Sequence, residues 1–307
     1  MKIEYLDTKD ASNLTETYND QIVGIPHCYK VSSEEFKDGF QHHKCSRRGY
    51  NEEIHVEKLI ICKEKDKILG FADVAIANTE LDGKKEQKGF IRLLTYKPGC
   101  RSAGQLLLDE SEKYLKGFDI QEIRAFHPIY INDHCGYRLY HLSYGMLSDK
   151  LGHILGLFGM NGYKINGGEF YMDQPNYHVD EPILTDKSIE IKVEQKTGRG
   201  TLPNLEVYAY RDGNQIGECE SCSVGEFARA KEAQDWVYIA GLFVNESEQA
   251  KGLGRYLLQR NLWESLKLGY KNTAISTDWQ NYRALLFYTN YGYYLVDTYY
   301  EFIKNIT

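Results

Sequence analysis

Between residues 249 and 255 the chain reads Gln-Ala-Lys-Gly-Leu-Gly-Arg. Gly252 and Gly254, two apart and flanked by the cations Lys251 and Arg255, are residue types that let a backbone approach a bulky anion and meet it with charge. The chemistry is phosphate binding, provided a helix opens there. The first amides of a helix have no internal partner, and its dipole places partial positive charge on them. Taken alone, Gly-x-Gly also describes an ordinary turn.

The flanking pattern supplies the helix and a strand to lead into it. Trp236 to Val244 is an apolar, β-branched run with Gly241 inside it, and Asn245 to Glu248 is a polar break. Beyond Gly254, Leu258, Leu262 and Leu266 recur every four positions, and Gly269 is placed to cap the helix. Thr273 to Asp278 reads as a short strand. Asn281 to Tyr291 reads as a helix stopped by Gly292, and Tyr293 to Ile303 as a final strand.

These residues together resemble the GNAT superfamily of N-acetyltransferases. The family's pyrophosphate loop, Gln/Arg-x-x-Gly-x-Gly/Ala, is matched by Gln249, Gly252 and Gly254. Its Asn-x-x-Ala-x-x-x-Tyr-x-x-x-Gly-Phe/Tyr pattern is matched by Asn281, Ala284, Tyr288, Gly292 and Tyr293. The resemblance is strong over residues 236 to 303. It implies acetyl-CoA as cosubstrate. The backbone of Leu242, Phe243 and Val244 would pair with the pantetheine arm, and Gln249, Ala250, Lys251, Gly252, Leu253, Gly254 and Arg255 would hold the pyrophosphate. Asn281 would bond the backbone or the pantetheine arm. Gly241 would permit the bulge that separates this strand from its neighbour. Tyr288, a phenol with an ordinary pKa near 10, would protonate the departing thiolate. The general base stays open: Tyr238 stands where some relatives carry a glutamate, and Glu218, Glu220, Glu226 and Asp235 lie near in sequence.

The first half repeats the pattern in diverged form. Aligning Gly104 with Gly254 places Leu107-Leu108 on Leu257-Leu258, Ser102 on Gly252 and Gly99 on Gln249. Phe158-Gly-Met-Asn-Gly162-Tyr163 falls on Tyr288 to Tyr293, with Leu151 on Asn281. A duplication on this scale sets the architecture. The expected fold class is α/β (α+β): two tandem GNAT-like domains, each a mixed, mostly antiparallel sheet flanked by helices. Residues 1–175 would form a diverged, non-catalytic unit, because Phe158 has no proton to give. Residues 176–187 would be a linker and 188–307 the catalytic domain. Thr8 to Asp20 is expected as a helix, and Asn78 to Lys88 as a charged connector turning at Asp82-Gly83.

Composition bounds the alternatives. A chain of 307 residues is comfortable for two domains, and 42% hydrophobic with 26% charged content is ordinary for a globular protein. The net charge of -7 argues against a nucleic-acid binder and is compatible with a cationic amine acceptor. Met1 to Asp10 lacks the pattern of a signal peptide and no window is apolar enough to span a membrane, which points to the cytoplasm. Seven dispersed cysteines fit reduced thiols. Cys219-x-x-Cys222 lacks a second ligand pair, His134, His141 and His153 lack zinc-ligand spacing, and His42-His43 and His55 read as solvated surface because adjacent histidines diverge, so no metal is expected. The expected partner is a small-molecule or peptide amine. Two other classes stay open: a coenzyme A-binding tandem GNAT with a regulatory role, and another acyl or aminoacyl transferase of mycothiol synthase or Fem type.

Overall fold

The computed structural model describes residues 1–38, 45–47, 50–81, 84–127 and 145–306. His42, His43, His134 and His141 lie outside these residues, as does the Asp82-Gly83 turn. By internal packing the chain divides into a first unit, Met1–Glu169 with Asp297–Thr307, and a second unit, Phe170–Val296. Where the sequence suggested boundaries at 175 and 188, packing assigns 170–187 to the second unit and the chain's last strand, from Asp297, to the first.

In the first unit the elements in chain order are β1 (Lys2–Leu6), α1 (Thr15–Gln21), α2 (Ser33–Asp38), β2 (Cys45–Arg47), β3 (Tyr50–Glu64), β4 (Lys67–Leu81), β5 (Lys84–Tyr96), α3 (Arg101–Leu115), β6 (Glu122–Ala125), β7 (Leu147–Ser148), α4 (Gly152–Met160) and β8 (Lys164–Gln174), the last running on into the second unit. Strands β1, β3, β4 and β5 pair antiparallel in that order, and β5 pairs parallel with β6. Apolar side chains from strands and helices meet in the interior, where Leu59, Phe71, Leu107, Leu108, Phe126 and Phe158 are all fully buried. Burial of each such side chain is worth about 1.5–3 kcal/mol.

Two local expectations change. Thr8 to Asp20 is a 3-10 turn (Thr8–Leu14) followed by α1. There the Thr15 hydroxyl donates to Ser12 O at 2.8 Å, a local bond that competes with helical pairing. On either side of 82–83, Asn78 to Leu81 and Lys84 to Lys88 belong not to a connector but to the far end of the β4–β5 ladder, with register pairs such as Asn78↔Gln87 and Ala77↔Lys88. Ladder bonds are made by backbone, so polar side chains do not prevent them.

The second unit contains β9 (Ile189–Lys196), β10 (Asn204–Arg211), β11 (Asn214–Ser223), β12 (Trp236–Val244), α5 (Leu253–Leu268), β13 (Asn272–Asp278), α6 (Tyr282–Tyr291) and the start of β14 (Tyr294–Asn305). β9 to β12 pair antiparallel in order, and β12 pairs parallel with β13. β14 completes the first unit instead, where Phe302–Asn305 pair with Ala125–Glu122 of β6. Leu257, Leu258 and Leu262 of α5 are fully buried among Val207, Cys219 and Ile239 of the sheet. Both α5 and α6 end in left-handed glycines, Gly269 (φ 107°) and Gly292 (φ 118°). The bonds from Tyr270 N to Ser265 O and from Tyr293 N to Tyr288 O, each 3.1 Å, close these ends as Schellman turns.

The two units share one irregularity at matching places. In the first, the β4–β5 register passes from Asp73↔Leu93 to Val74↔Ile91, so Arg92 is an extra residue on β5. In the second, β11–β12 passes from Glu220↔Gly241 to Ser221↔Ile239, so Ala240 is extra on β12. Both are β-bulges on the strand that leads into the long helix. In both, the parallel ladder on the other side ends one residue before the bulge, at Ile91↔Ala125 and at Ile239↔Ile275. Beyond that point β12 runs on to Val244, leaving β13 behind as one arm of an opened fork.

Candidate active site

The fork in the second unit opens toward the start of α5. Gln249 is extended (ψ 160°), Ala250 lies in the left-handed region (φ 60°), and Gly252, the N-cap of α5, lies there too (φ 88°). A non-glycine residue in that region costs about 1–2 kcal/mol, a strain that collects at functional loops. No side chain caps α5. Its first internal bond is Tyr256 N to Gly252 O at 3.0 Å, so the amides of Leu253, Gly254 and Arg255 have no acceptor within the helix. A Cβ built on Gly252 meets nothing within 4 Å, and one on Gly254 meets only Val244 Cγ2 at 3.5 Å. The result is a concave run of backbone donors with open space in front, suited to an anion.

Around this loop lies a cleft of about 480 Å³. It brings together nine of the residues picked out in the sequence: Leu242 and Val244 from β12; Gln249, Ala250, Gly252, Gly254 and Arg255 from the loop and helix start; and Asn281 and Tyr288 from α6. Three others fall outside its lining. The Phe243 side chain is on the other face of the strand, 53% exposed. Leu253 is buried in the core. The Lys251 ammonium lies 3.4 Å from Glu248 Oε2. Glu248, itself buried, also accepts from Arg211, so this carboxylate pins the loop's underside.

Ala284, part of the family pattern, also lines the cleft, as do Arg283 and Phe287, which the sequence did not single out. Arg283 sits one residue before Ala284 on the first turn of α6, the same end as the anion loop, and that position was the available signal. Its Nη1 donates to Gln249 Oε1 at 3.2 Å, while Gln249 Nε2 donates to Val244 O at 3.0 Å. One glutamine thus links the end of β12 to α6.

Asn281 is the N-cap of α6, its Oδ1 accepting from Ala284 N at 3.1 Å. Its exchange for Ala should therefore cost about 1 kcal/mol of stability, which thermal unfolding of Asn281→Ala would measure. Tyr288 is 8% exposed, its ring edge-on to Phe287 (5.2 Å between centroids) and Tyr293 (6.1 Å). Burial pushes its phenol well above the ordinary tyrosine range, so the proton is held at neutral pH. Among the described residues no hydrogen bond restrains its hydroxyl. Tyr238, by contrast, shares a 2.7 Å hydrogen bond with Ser276 and stacks on Tyr171.

The matching place in the first unit is filled by its own side chains. A Cβ on Gly104 would lie 2.5 Å from the Tyr96 ring. Tyr96 donates to His153 O at 2.8 Å, and its ring meets the His153 ring edge-on at 4.9 Å. Gln105 and Asn161 exchange two hydrogen bonds, of 2.8 and 3.1 Å, which tie α3 to α4. Leu151 N-caps α4 with no side-chain bond, and Phe158, packed against Phe126 and Tyr163, carries no hydroxyl. Gly104→Ala should overpack this contact and cost about 1–3 kcal/mol while leaving coenzyme affinity unchanged, a pair of values read by thermal unfolding and calorimetry.

Residues 203–295 match the family model described as acetyltransferase (GNAT) domain. Among solved structures, a tandem GNAT protein from the clavulanic acid biosynthesis pathway aligns with a TM-score of 0.67 at 10% identity, over 99% of this chain and 98% of that one. A GCN5-related N-acetyltransferase from Sphaerobacter thermophilus gives 0.60 at 13% identity, over 99% and 95%. A glucosamine N-acetyltransferase region of a fungal multi-domain GH3 β-N-acetylglucosaminidase gives 0.65 at 15% identity, over 99% of this chain and 38% of that one. The match to the GNAT domain model falls within the second unit, and the whole chain shares the fold of that tandem GNAT protein. Among the described residues no helix is long and apolar enough to cross a membrane.

Proposed function

We propose that the protein is an acetyl-CoA-dependent N-acetyltransferase whose reaction takes place in the second unit. The observation that carries this is the opened fork. β12 leaves β13 after Ile239, and the freed strand, the anion-binding loop and the Tyr288 phenol meet in one cleft. The free strand edge at Leu242 to Val244 suits an extended amide-bearing arm, added as one more strand. The amides of Leu253 to Arg255, with Arg255 and Arg283 beside them, suit a pyrophosphate.

In this reading the acceptor amine, uncharged, attacks the thioester carbonyl carbon. A new C–N bond forms, the C–S bond breaks, and the sulfur takes its proton from Tyr288; the nitrogen sheds its surplus proton to solvent, and the Tyr288 phenolate recovers one from solvent. A buried phenol that stays protonated through the neutral range holds that proton until the thiolate leaves. The first unit would contribute no second centre, because its fork is packed by Tyr96 and His153 and its equivalent of Tyr288 is Phe158. The protein would act in the cytoplasm on a small-molecule or peptide amine and need no metal. Full-length protein titrated with acetyl-CoA, then with desulfo-CoA and pantetheine, tests the binding half. The expected order is coenzyme well above pantetheine, because the loop would act on the phosphates. Equal affinity for both would remove the loop from the site.

A further inference from the structure

The anion loop of the second unit rests on a buried carboxylate. Glu246–Glu248 is a single 3-10 turn, closed by Glu248 N donating to Asn245 O at 2.8 Å. Immediately after it Gln249 is extended and Ala250 enters the left-handed region at φ 60°. Glu248, 8% exposed, is thus the last residue before the strained step that leads into the free amides of Leu253 to Arg255. A carboxylate has the wrong charge to lie under an anion site. It lowers the potential where a second anion has to be received, and burial removes the water that would screen it.

Its countercharge comes from a strand distant in sequence. Arg211, at the end of β10, donates from Nη1 to Glu248 Oε1. The same guanidinium donates from Nη2 to Asp186 Oδ2 at 2.7 Å and from Nε to Ser188 Oγ at 3.3 Å. Three nitrogens thus serve three acceptors, which fixes the planar fork of the side chain. The other oxygen, Glu248 Oε2, has the Lys251 ammonium at 3.4 Å, but that side chain is 60% exposed against 26% for Arg211. Solvent screens the lysine pair, so the arginine is the principal countercharge.

The first unit lacks this arrangement. The register pair Arg211↔Asn214 that closes the β10–β11 hairpin corresponds to Glu64↔Lys67, which closes β3–β4. The alignment of Gly104 with Gly254 puts Pro98 at the place of Glu248. Where the fork is filled by Tyr96 and His153, a glutamate and a proline stand in place of the arginine and the carboxylate. The ion pair accompanies the open loop.

We propose that Arg211 is a positioning residue for the coenzyme's phosphates: from outside the lining of the cleft it neutralises the carboxylate under the loop and holds the loop with its amides presented. The chemistry it supports is recognition of a diphosphate by backbone donors. This assignment rests on the acetyl-CoA reading above. Asp186, in the segment that leads into β9, shares the guanidinium, so that segment takes part in fixing the loop.

The test is calorimetry with coenzyme A on full-length wild type, Arg211→Met, Glu248→Gln and the double variant. Methionine keeps the apolar stem and removes the charge. Arg211→Met is expected to weaken coenzyme A binding by about tenfold or more, because an uncompensated carboxylate then faces the incoming phosphates. Glu248→Gln alone keeps an acceptor for the guanidinium and should bind at least as tightly as wild type. The double variant has no carboxylate left under the loop and should recover most of the wild-type affinity. A residue that only braced the fold would give the opposite order, since removing Glu248 as well would deepen the loss. Thermal unfolding on the same preparations establishes that folded proteins are compared. Arg211→Gln, neutral and still a donor, gives the same readings if methionine is not tolerated. The proposal is overturned if the neutral Arg211 variant binds coenzyme A as wild type does, if the double variant is no better than that variant, or if Glu248→Gln alone weakens binding tenfold. Each of these results leaves the proposed function standing. A wild type that does not bind coenzyme A would overturn that function and this assignment with it.

Discussion

Tyr288→Phe is expected to lower kcat by about 100-fold to 10,000-fold, or roughly 3–5 kcal/mol in the barrier, with little change in the Michaelis constant for acetyl-CoA. The exchange keeps the ring, its edge-on contacts to Phe287 and Tyr293, and the backbone bond from Tyr293 N to Tyr288 O that ends α6. Only the proton is lost. The loss falls on kcat because the bond to sulfur matters when negative charge develops there, in the transition state. No hydrogen bond to the hydroxyl holds the fold together among the described residues, so thermal stability should stay close to wild type. Because burial raises the Tyr288 pKa, its proton is not given up on approaching pH 10. Any alkaline decline in kcat from this group should therefore lie above the ordinary tyrosine range. The variant should also leave no residual activity attributable to the first unit, where Phe158 holds the equivalent place. That comparison has to be made in the full chain. Residues 1–175 alone would lack the strand that closes the first unit, from Asp297 onward.

The second large effect is expected at the loop. Gly252→Val should reduce affinity for coenzyme A by about 100-fold, roughly 3 kcal/mol. Two causes act together. A branched side chain stands in the space that Gly252 leaves open, and its backbone is held at φ 88°, where side chains are strained. Gly254→Ala serves as the control. Gly254 is inside α5, where alanine is at ease, and its added methyl meets only Val244 Cγ2 at an ordinary 3.5 Å. This variant should fold with unchanged stability and bind coenzyme A about as well as wild type, since the family's loop pattern accepts alanine at this place. Calorimetry and thermal unfolding on both variants give the answer. Wild-type affinity in Gly252→Val would mean that the loop does not hold the coenzyme.

Most of the second unit was legible because its elements are specified locally. The run from Trp236 to Val244, the fourfold leucine repeat and the glycines at 269 and 292 each fix an element by short-range physics, and each element formed there. The placement of Gln249 to Arg255 followed, since a strand, a glycine loop and a helix in sequence leave it little freedom. What escaped depends on pairing between distant segments. Nothing in residues 297 to 305 says which sheet they join, because a strand's pattern gives its faces and not its neighbour. The distortion of β12 was tied to Gly241, the residue able to tolerate it, whereas the extra residue is Ala240 and the cause is register against β11. Arg283 escaped because a single cation on a helix reads as a solvated side chain until the fold brings Gln249 beside it. The packed fork of the first unit was foreshadowed by Phe158 alone, and the part played by Tyr96 depends on how closely it lies over Gly104.

The central claim is that the second unit transfers an acetyl group from acetyl-CoA to an amine. It is tested most directly by following release of free coenzyme A thiol from acetyl-CoA, with full-length wild type and Tyr288→Phe. Polyamines, aminoglycosides, amino acids and peptides serve as acceptors, and the acetylated product is identified by its mass. The expected result is thiol release that requires an amine, yields one amide per thiol and falls at least 100-fold in the variant. Thiol release that is independent of any amine, or an amine-dependent rate that is the same in Tyr288→Phe, would contradict it.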